Sequence, residues 1–281
     1  MRVLVTGAKG QLGQDVVKLF STSHEVYEYG RNELDITNAK QTTEIIENVE
    51  PHIIIHCAAY TAVDKAEENR EYAYLVNATG SRYVAQAANR VGAKLCAIST
   101  DYVFDGETKY PYTELAKMNP KNVYGASKLA GENFIRECTD RYFIVRTSWV
   151  FGLYGSNFVK SMLNLGKSRS PIKVVDDQFG SPTYTKDLAR FLLELTESDK
   201  FGTYHASNTG VCSWYAFARE VFSQVSWSVD LSPCRTEDFP RPAPRPKYSV
   251  LAHTAIENNG FHQLPAWQDA LHEFLSEFNQ T

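Results

Sequence analysis

Residues 1–13 read MRVLVTGAKGQLG, and this stretch decides the fold. A short apolar run before the glycines is typical of a buried strand, and apolar residues recur at helical spacing after them. Gly7 allows a tight turn, Gly10 lets the backbone approach a pyrophosphate, and Gly13 permits close packing of helix on strand. The N-terminus of the helix offers free N–H groups to an anion. The predicted dinucleotide-binding loop comprises Gly7, Gly10, Gln11, Leu12 and Gly13.

Strand and helix patterns alternate from this stretch to about residue 150. The β-branched run Ile53–Ile55 is typical of a strand at the centre of a parallel sheet. Further strands are predicted at 94–99 and 142–146, and helices at 37–49, 72–91 and 127–138. Such alternation implies βαβ units and an α/β fold, a Rossmann-type doubly wound parallel sheet.

The second half of the chain is less regular. Helical patterns at 157–165, 184–195, 214–225 and 267–278 enclose short strands such as 172–175. We expect a dinucleotide-binding domain over residues 1–150, and over 151–281 mainly a smaller α/β lobe that binds the substrate. Some later segments are expected to return to the first domain.

Composition excludes several classes of function. Of 281 residues, 43% are hydrophobic and 22% charged, which suits a globular protein. A net charge of −4 argues against binding nucleic acid by bulk positive charge. No apolar run approaches the length of a membrane span, so no membrane association is expected. Five cysteines without metal spacing, and no secretory leader pattern, favour a reduced, cytoplasmic location and no metal site.

A second strand is predicted at 24–29, and the residues at its end bear on the choice of cofactor. An acid there would bind the ribose 2′-OH of NAD, but the sequence reads Tyr29-Gly30-Arg31. Arg31 could hold a 2′-phosphate, which favours NADP(H), with NAD(H) bound more weakly. The alternative is that Arg31 is a solvated surface residue. Asp35 and Ile36 could contact the adenine, or Asp35 could be a turn or helix-entry residue.

A hydroxyl, a phenol and an amine form the candidate catalytic group. Thr100 ends the fourth predicted strand, and Tyr124 and Lys128 lie four residues apart at the start of the following helix. That spacing places both side chains on one face. A nearby ammonium should lower the pKa of the tyrosine, and a threonine hydroxyl can polarise a substrate oxygen. Chance alone predicts about one such pair in this composition, so its placement in the βαβ pattern carries the inference.

These motifs together resemble the extended short-chain dehydrogenase/reductase family. Longer stretches resemble the members that reduce 4-keto sugar nucleotides, and the likeness spans nearly the whole chain. They are residues 58–67, 99–104, 122–125, 146–150 and 177–183.

The resemblance implies that NADPH delivers hydride to C4 of dTDP-6-deoxy-L-lyxo-4-hexulose and gives dTDP-L-rhamnose. It implies that Tyr124 protonates the carbonyl oxygen and that Lys128 tunes Tyr124 and holds the nicotinamide ribose. Thr100 and Asp101 would contact the sugar, and Trp149 would pack near it. Further cofactor contacts are expected from Ala58, Ala59, Tyr60, Thr61 and Asn77, the last through support of the lysine.

The second lobe should bind the dTDP moiety of the substrate. Asn157, Gln178 and the pair Arg241 and Arg245 are the candidates. An anionic diphosphate needs cations, and arginine can bind it through two hydrogen bonds at once. The alternative is that the proline-rich stretch around the arginines is a plain surface linker.

Two other functions stay open. A dehydratase or epimerase of the same fold is the nearest, but related dehydratases carry a glutamate where this chain has Tyr102. A non-catalytic NADP-binding regulatory subunit is the other, and the intact Thr100, Tyr124 and Lys128 argue against it. The chain could be a monomer or a homodimer. Some relatives bridge a dimer with a metal near the position of Asp15, but the remaining acids of such a cluster are not found.

Overall fold

The central element is a six-stranded parallel sheet. The computed structural model describes residues 1–168 and 171–279. Over these residues the strands lie in the order β10-β5-β4-β3-β1-β2, and every neighbouring pair is parallel. The strands are β1 (Arg2–Thr6), β2 (Glu25–Tyr29), β3 (Ile53–His56), β4 (Lys94–Thr100), β5 (Tyr142–Thr147) and β10 (Gly202–His205). Parallel neighbours are joined by crossover connections, which are usually helices. This arrangement agrees with the βαβ units predicted from the sequence.

Helices cover both faces of this sheet. α1 packs against α8 on one face, while α2, α5 and α6 pack side by side on the other. All four residues of β3 are buried, which explains the β-branched run of three isoleucines. The bounds are α1 (Gln11–Phe20), α2 (Ala39–Val49), α3 (Val63–Glu68), α4 (Arg70–Tyr74), α5 (Ser81–Arg90), α6 (Val123–Cys138) and α8 (Thr185–Glu197).

The pattern at 72–91, predicted as one helix, is three consecutive helical segments. Between α4 and α5 the residues Leu75–Gly80 form a π-helix. The wider turn brings Asn77 into the interior, where it is 1% exposed. Hydrophobic periodicity does not report such an insertion, and π-turns often occur at functional sites.

The second lobe has its own apolar core at the carboxyl end of the sheet. Its buried members include Phe151, Tyr184, Phe217, Leu271 and Phe274. Elements of the second half also pack on the central sheet: β10 pairs with β5, α8 packs against α1, and α10 (Thr254–Asn258) packs against β10. The remaining elements are β6 (Val150–Phe151), α7 (Phe158–Lys167), β7 (Ile172–Val175), β8 (Phe179–Gly180), β9 (Thr183–Tyr184), β11 (Cys212–Ser213), α9 (Trp214–Gln224), β12 (Leu231–Cys234) and α11 (Trp267–Phe278).

None of the helices within the described ranges has the length and apolarity needed to cross a membrane. The described residues also contain no cluster of three or more His, Cys, Asp or Glu side chains arranged to hold a metal ion.

Candidate active site

A cavity of about 720 Å³ runs along the carboxyl ends of the sheet strands. Its volume lies in the range usual for small-molecule and cofactor sites. It is lined by the glycine-rich loop after β1 and by residues 147–150, at the end of β5 and just beyond it. Parallel strands place their carboxyl-terminal loops at the same edge, so residues distant in sequence meet here.

The glycine-rich loop has the geometry of a phosphate cradle. Gly7 has a φ of 66°, and a Cβ there would lie 2.6 Å from the backbone nitrogen of Ala58. A Cβ on Gly13 would lie 2.3 Å from the carbonyl oxygen of Gly7. Gly10 precedes the first turn of α1, which has no side-chain cap, so its leading N–H groups remain available to an anion. The loop therefore fits a dinucleotide pyrophosphate.

Two cationic side chains line the cavity near the glycine-rich loop. Arg31 lies just after β2, and its Nη2 donates to the hydroxyl of Tyr72 at 2.6 Å, with the guanidinium over the ring. Lys9 also lines the cavity and is largely exposed. Sequence reasoning missed Lys9, although its position inside the glycine motif was a usable signal. Both cations fit the 2′-phosphate that distinguishes NADP from NAD.

Asp35 and Ile36, the residues predicted to contact adenine, differ in which of their atoms are free to bind it. Asp35 lines the cavity, but its Oδ1 accepts hydrogen bonds from the backbone N–H and the hydroxyl of Thr37, as in a turn. Ile36 is 4% exposed and packs against Gly80. Ile36 can therefore contribute little beyond its backbone.

Asn77 holds the loop after β3 through hydrogen bonds to its backbone. Ala58, Ala59, Tyr60 and Thr61 all line the cavity, as expected for a cofactor-binding loop. Asn77 Oδ1 accepts from the backbone N–H of Tyr60 at 2.7 Å, and its Nδ2 donates to the Tyr60 carbonyl and to Ser127 Oγ, each at 3.0 Å. Asn77 thus ties the loop to α6 and does not itself line the cavity.

Thr100, Tyr124 and Lys128 meet in the cavity wall. Thr100 ends β4, and its hydroxyl donates to Asp101 Oδ1 at 3.0 Å. Tyr124 lies in the first turn of α6, because Asn122 caps that helix by accepting from the Gly125 N–H at 2.8 Å. One turn later, Lys128 Nζ donates to the carbonyl oxygen of Ile98 at 2.7 Å. The structure therefore brings together the three residues predicted to be catalytic.

The pKa of Tyr124 departs from the sequence expectation. Burial raises the pKa of Tyr124 to about 12; interaction with the Thr100 hydroxyl lowers it, and the Asp101 carboxylate raises it. The expected lowering by Lys128 is not the dominant effect, because removing a phenolate from water is costly. Tyr124 is therefore protonated at neutral pH and suited to donate a proton.

Lys128 and Asp101 are also shifted toward their neutral forms. Burial lowers the pKa of Lys128 to about 8, against the opposing effect of Glu132. Burial raises the pKa of Asp101 to about 6, and hydrogen bonds from neighbouring side chains oppose it. Shifted titratable groups gathered in one cavity are typical of active sites.

Trp149 forms the wall of the cavity on the side of the second lobe. Its φ is 48°, a left-handed conformation that is unusual for a bulky residue. Its ring stacks on Trp214, with centroids 3.6 Å apart and planes 9° apart. Trp214 carried no signal beyond being aromatic and was not predicted to take part in the site.

Four residues predicted to bind the substrate are not among the described residues that line the cavity: Asn157, Gln178, Arg241 and Arg245. Asn157 caps α7 and donates to Gln11 Oε1 at 2.9 Å. Gln178 is buried and donates to Thr236. Arg241 and Arg245 face the carboxylate of Asp64. The sequence could not reveal these contacts, because Gln11, Thr236 and Asp64 lie far from their partners along the chain.

A doubly wound sheet, a phosphate cradle and a Thr–Tyr–Lys group in one cavity define an oxidoreductase of the extended short-chain dehydrogenase/reductase type. The family model described as RmlD substrate binding domain matches residues 1–280. The chain belongs to that family.

Relatives and solved structures agree over nearly the whole chain. The spore coat polysaccharide biosynthesis protein SpsK of Bacillus subtilis is 42% identical over 277 residues, 98% of this chain and 97% of that protein. The dTDP-4-dehydrorhamnose reductase of Aggregatibacter actinomycetemcomitans is 42% identical over 284 residues, 96% and 97% of the two chains. A crystal structure of dTDP-4-dehydrorhamnose reductase from Bacillus anthracis in complex with NADP is 50% identical. It covers 98% of this chain and 99% of that chain, with a TM-score of 0.97.

Proposed function

We propose that the protein is a dTDP-4-dehydrorhamnose reductase, which reduces the C4 ketone of dTDP-6-deoxy-L-lyxo-4-hexulose with NADPH and gives dTDP-L-rhamnose. The observation that carries this proposal is the single cavity that joins the phosphate cradle to Tyr124. A cofactor held at the cradle would reach the catalytic group without leaving that cavity. The activity named for the relatives supplies the substrate class.

NADPH fits the residues present. Gly7 and Gly13 let the loop pack closely where a Cβ would clash with the backbone of Ala58 and of Gly7. The first turn of α1 offers N–H groups, and Arg31 and Lys9 provide charge for the 2′-phosphate. When bound, NADPH supplies the hydride. The loop 58–61, held by Asn77, would contact the cofactor along its length, with Lys128 reaching the nicotinamide ribose.

Tyr124 is the proton donor in this proposal. Hydride addition at C4 turns the ketone oxygen into an alkoxide, and Tyr124, protonated at neutral pH, donates its proton there. Thr100 polarises the same oxygen by a hydrogen bond. The charged form of Lys128 stabilises the phenolate left behind, and Asp101 accepts from a sugar hydroxyl. Trp149 would pack against the sugar and, with residues of the second lobe, orient it.

A dehydratase function is less well supported by the cavity wall. Tyr102 stands where related dehydratases carry glutamate, and its ring contacts Tyr124 edge to face at 5.7 Å. Burial raises the pKa of Tyr102, so it is a poor base at neutral pH. Purified protein should convert the 4-keto substrate to dTDP-L-rhamnose with consumption of NADPH, and should leave dTDP-glucose unchanged. Loss of water from dTDP-glucose would contradict the proposal.

We propose a cytoplasmic location, because all five cysteines are free thiols, as is usual for proteins of a reducing compartment. For the assembly, a monomer or a homodimer stays the prediction from the sequence.

We expect Arg31→Ala to weaken NADPH binding by about 10- to 100-fold, the loss of charge-assisted hydrogen bonds to a phosphate, and to affect NADH far less. Fluorescence titration with both cofactors measures the two Kd values. Arg70→Ala is the control, because Arg70 is also an exposed arginine stacked on a tyrosine but does not line the cavity. Equal losses for NADPH and NADH would show that Arg31 does not bind the 2′-phosphate.

We also expect kcat/KM for ketone reduction to fall as the pH rises through about 8. Lys128 is charged below that pH and neutral above it, whereas Tyr124, with a pKa of about 12, stays protonated throughout. In Lys128→Arg the cation stays charged, so the residual activity should lose this descent. A wild-type profile that is flat between pH 7 and 10 would show that the charge on Lys128 is not required.

A further inference from the structure

The proline-rich segment 240–246 leaves the second lobe and returns to the catalytic helix. Its Pro244 carbonyl oxygen accepts from Asn122 Nδ2 at 2.9 Å. Its last residue, Pro246, packs so closely on Gly106 that a Cβ there would lie 2.4 Å from the proline Cβ. The segment is therefore held at two points beside the start of α6.

Asp64 of α3 holds the middle of this segment. Arg245 Nη1 lies 2.9 Å from Asp64 Oδ1, and Arg245 Nη2 donates to Oδ2 at 2.9 Å. The backbone N–H of Ala243 donates to the same carboxylate at 3.2 Å. The side chains of Asp64 and Arg245 are 29% and 19% exposed, so this paired-bond geometry is shielded from much of the solvent.

The same helix α3 also holds the first turn of α6. Glu67, one turn after Asp64, accepts from the backbone N–H of Val123 at 2.9 Å. On another side, a Cβ on Gly125 would lie 2.1 Å from the carbonyl oxygen of Tyr102. The turn that carries Tyr124 is thus contacted by α3, by segment 240–246 and by the backbone after β4.

We propose that Asp64 is a positioning residue whose ion pair with Arg245 clamps segment 240–246 against the first turn of α6 and so fixes the place of Tyr124. Asn122 is the link, because one side chain both caps α6 and binds the segment. This assigns Arg245 a partner within the protein, in place of the substrate diphosphate expected from the sequence. The inference rests on the proposed function, since its effect is measured on ketone reduction.

Kinetics of Asp64→Ala, Arg245→Ala and the double variant test the clamp. A displacement of about 1 Å at a catalytic group can cost about 100-fold, so we expect each single variant to lower kcat by about 10- to 100-fold. The double variant should be no slower than either single variant, and KM and the Kd for NADPH should change little. Asp64→Glu and the exchanged pair Asp64→Arg with Arg245→Asp should recover part of the rate.

Lys121→Ala is the matched control. Lys121 precedes Asn122 and forms an exposed ion pair with Glu107 at 3.2 Å, so its loss removes a neighbouring charge pair without touching the clamp. We expect wild-type kinetics from this variant.

Hydrogen exchange gives a second readout that does not depend on turnover. In Asp64→Ala the amides of residues 123–126 should exchange faster than in the wild type, whereas those of the central strands should not. Unchanged kcat and unchanged exchange in Asp64→Ala would overturn the proposal. So would a raised KM in Arg245→Ala together with a lowered KM in Asp64→Ala, because Arg245 would then bind the diphosphate. If the wild type itself does not reduce the ketone, the proposed function fails, and exchange still tests the clamp.

Discussion

Replacing Tyr124 by phenylalanine should lower kcat by about 10²–10⁴, the usual contribution of a positioned proton donor. The variant keeps the ring and its edge-to-face contact with Tyr102 but removes the hydroxyl. The Kd for NADPH should be nearly unchanged, because the N–H groups of the first turn of α1, and not the Tyr124 hydroxyl, would bind the pyrophosphate. Steady-state kinetics and a fluorescence titration of the same protein measure the two quantities.

The neighbouring Tyr102 provides a matched control for the loss of the Tyr124 hydroxyl. Tyr102 also lines the cavity, and burial raises the pKa of its hydroxyl as well. Tyr102→Phe should lose far less activity than Tyr124→Phe. The opposite ranking, or near wild-type turnover by Tyr124→Phe, would mean that the proton comes from another group.

Replacing Arg146 by methionine should lower the free energy of unfolding by about 3–5 kcal/mol, because the buried Glu132 carboxylate loses its buried ion-pair partner. The carboxylate then keeps Ser99 and the partly exposed Arg136 as hydrogen-bond partners. Arg146 is 1% exposed and Glu132 is 2% exposed. Arg146 Nε donates to Glu132 Oε1 at 2.9 Å, and Nη2 donates to Oε2 at 2.7 Å. Urea unfolding at pH 7 measures the change.

The pH dependence of the unfolding free energy and a matched variant test whether burial sets the strength of this ion pair. Burial raises the pKa of Glu132, but hydrogen bonds and charge from Arg146 outweigh it, so the pKa lies below its ordinary value of 4.5. The stabilisation is therefore full above pH 4.5 and is lost as the pH falls through the lowered pKa. Arg136 bonds to the same carboxylate but is 27% exposed, so Arg136→Ala should cost under about 1 kcal/mol. Equal losses in the two variants would show that burial does not set the strength of the pair.

Local sequence signals predicted the alternation of strands and helices, the glycine cradle and the helix that carries Tyr124 and Lys128. Each rests on residues close together in sequence. The β-branched residues of β3, the glycines after β1 and the four-residue spacing on α6 all report backbone geometry directly. The loop 58–61 and Trp149 came from the family resemblance, and the structure places both in the cavity wall.

The features that the sequence did not reveal depend on contacts between distant segments. Asp64 and Arg245 are separated by 181 residues, and no local pattern pairs them. The stacking of Trp149 on Trp214 likewise joins residues far apart in sequence. Arg146 and Glu132 are closer, 14 residues apart, but they lie on β5 and α6, and no local pattern pairs them. The π-helix at 75–80 resembles an ordinary helix in its periodicity, yet it places Asn77 behind the cofactor loop. The pKa of Tyr124 depends on burial, which the spacing of Tyr124 and Lys128 does not specify.

The proposed function depends on the transfer of a hydride from NADPH to C4 of a dTDP-linked 4-keto sugar. The most direct test uses NADPH that carries deuterium at the transferred position of its nicotinamide, with dTDP-6-deoxy-L-lyxo-4-hexulose as substrate. Mass spectrometry and NMR of the product locate the label. We expect dTDP-L-rhamnose with one deuterium, at C4. An unlabelled product, or no turnover by protein that still binds NADPH tightly, would contradict it.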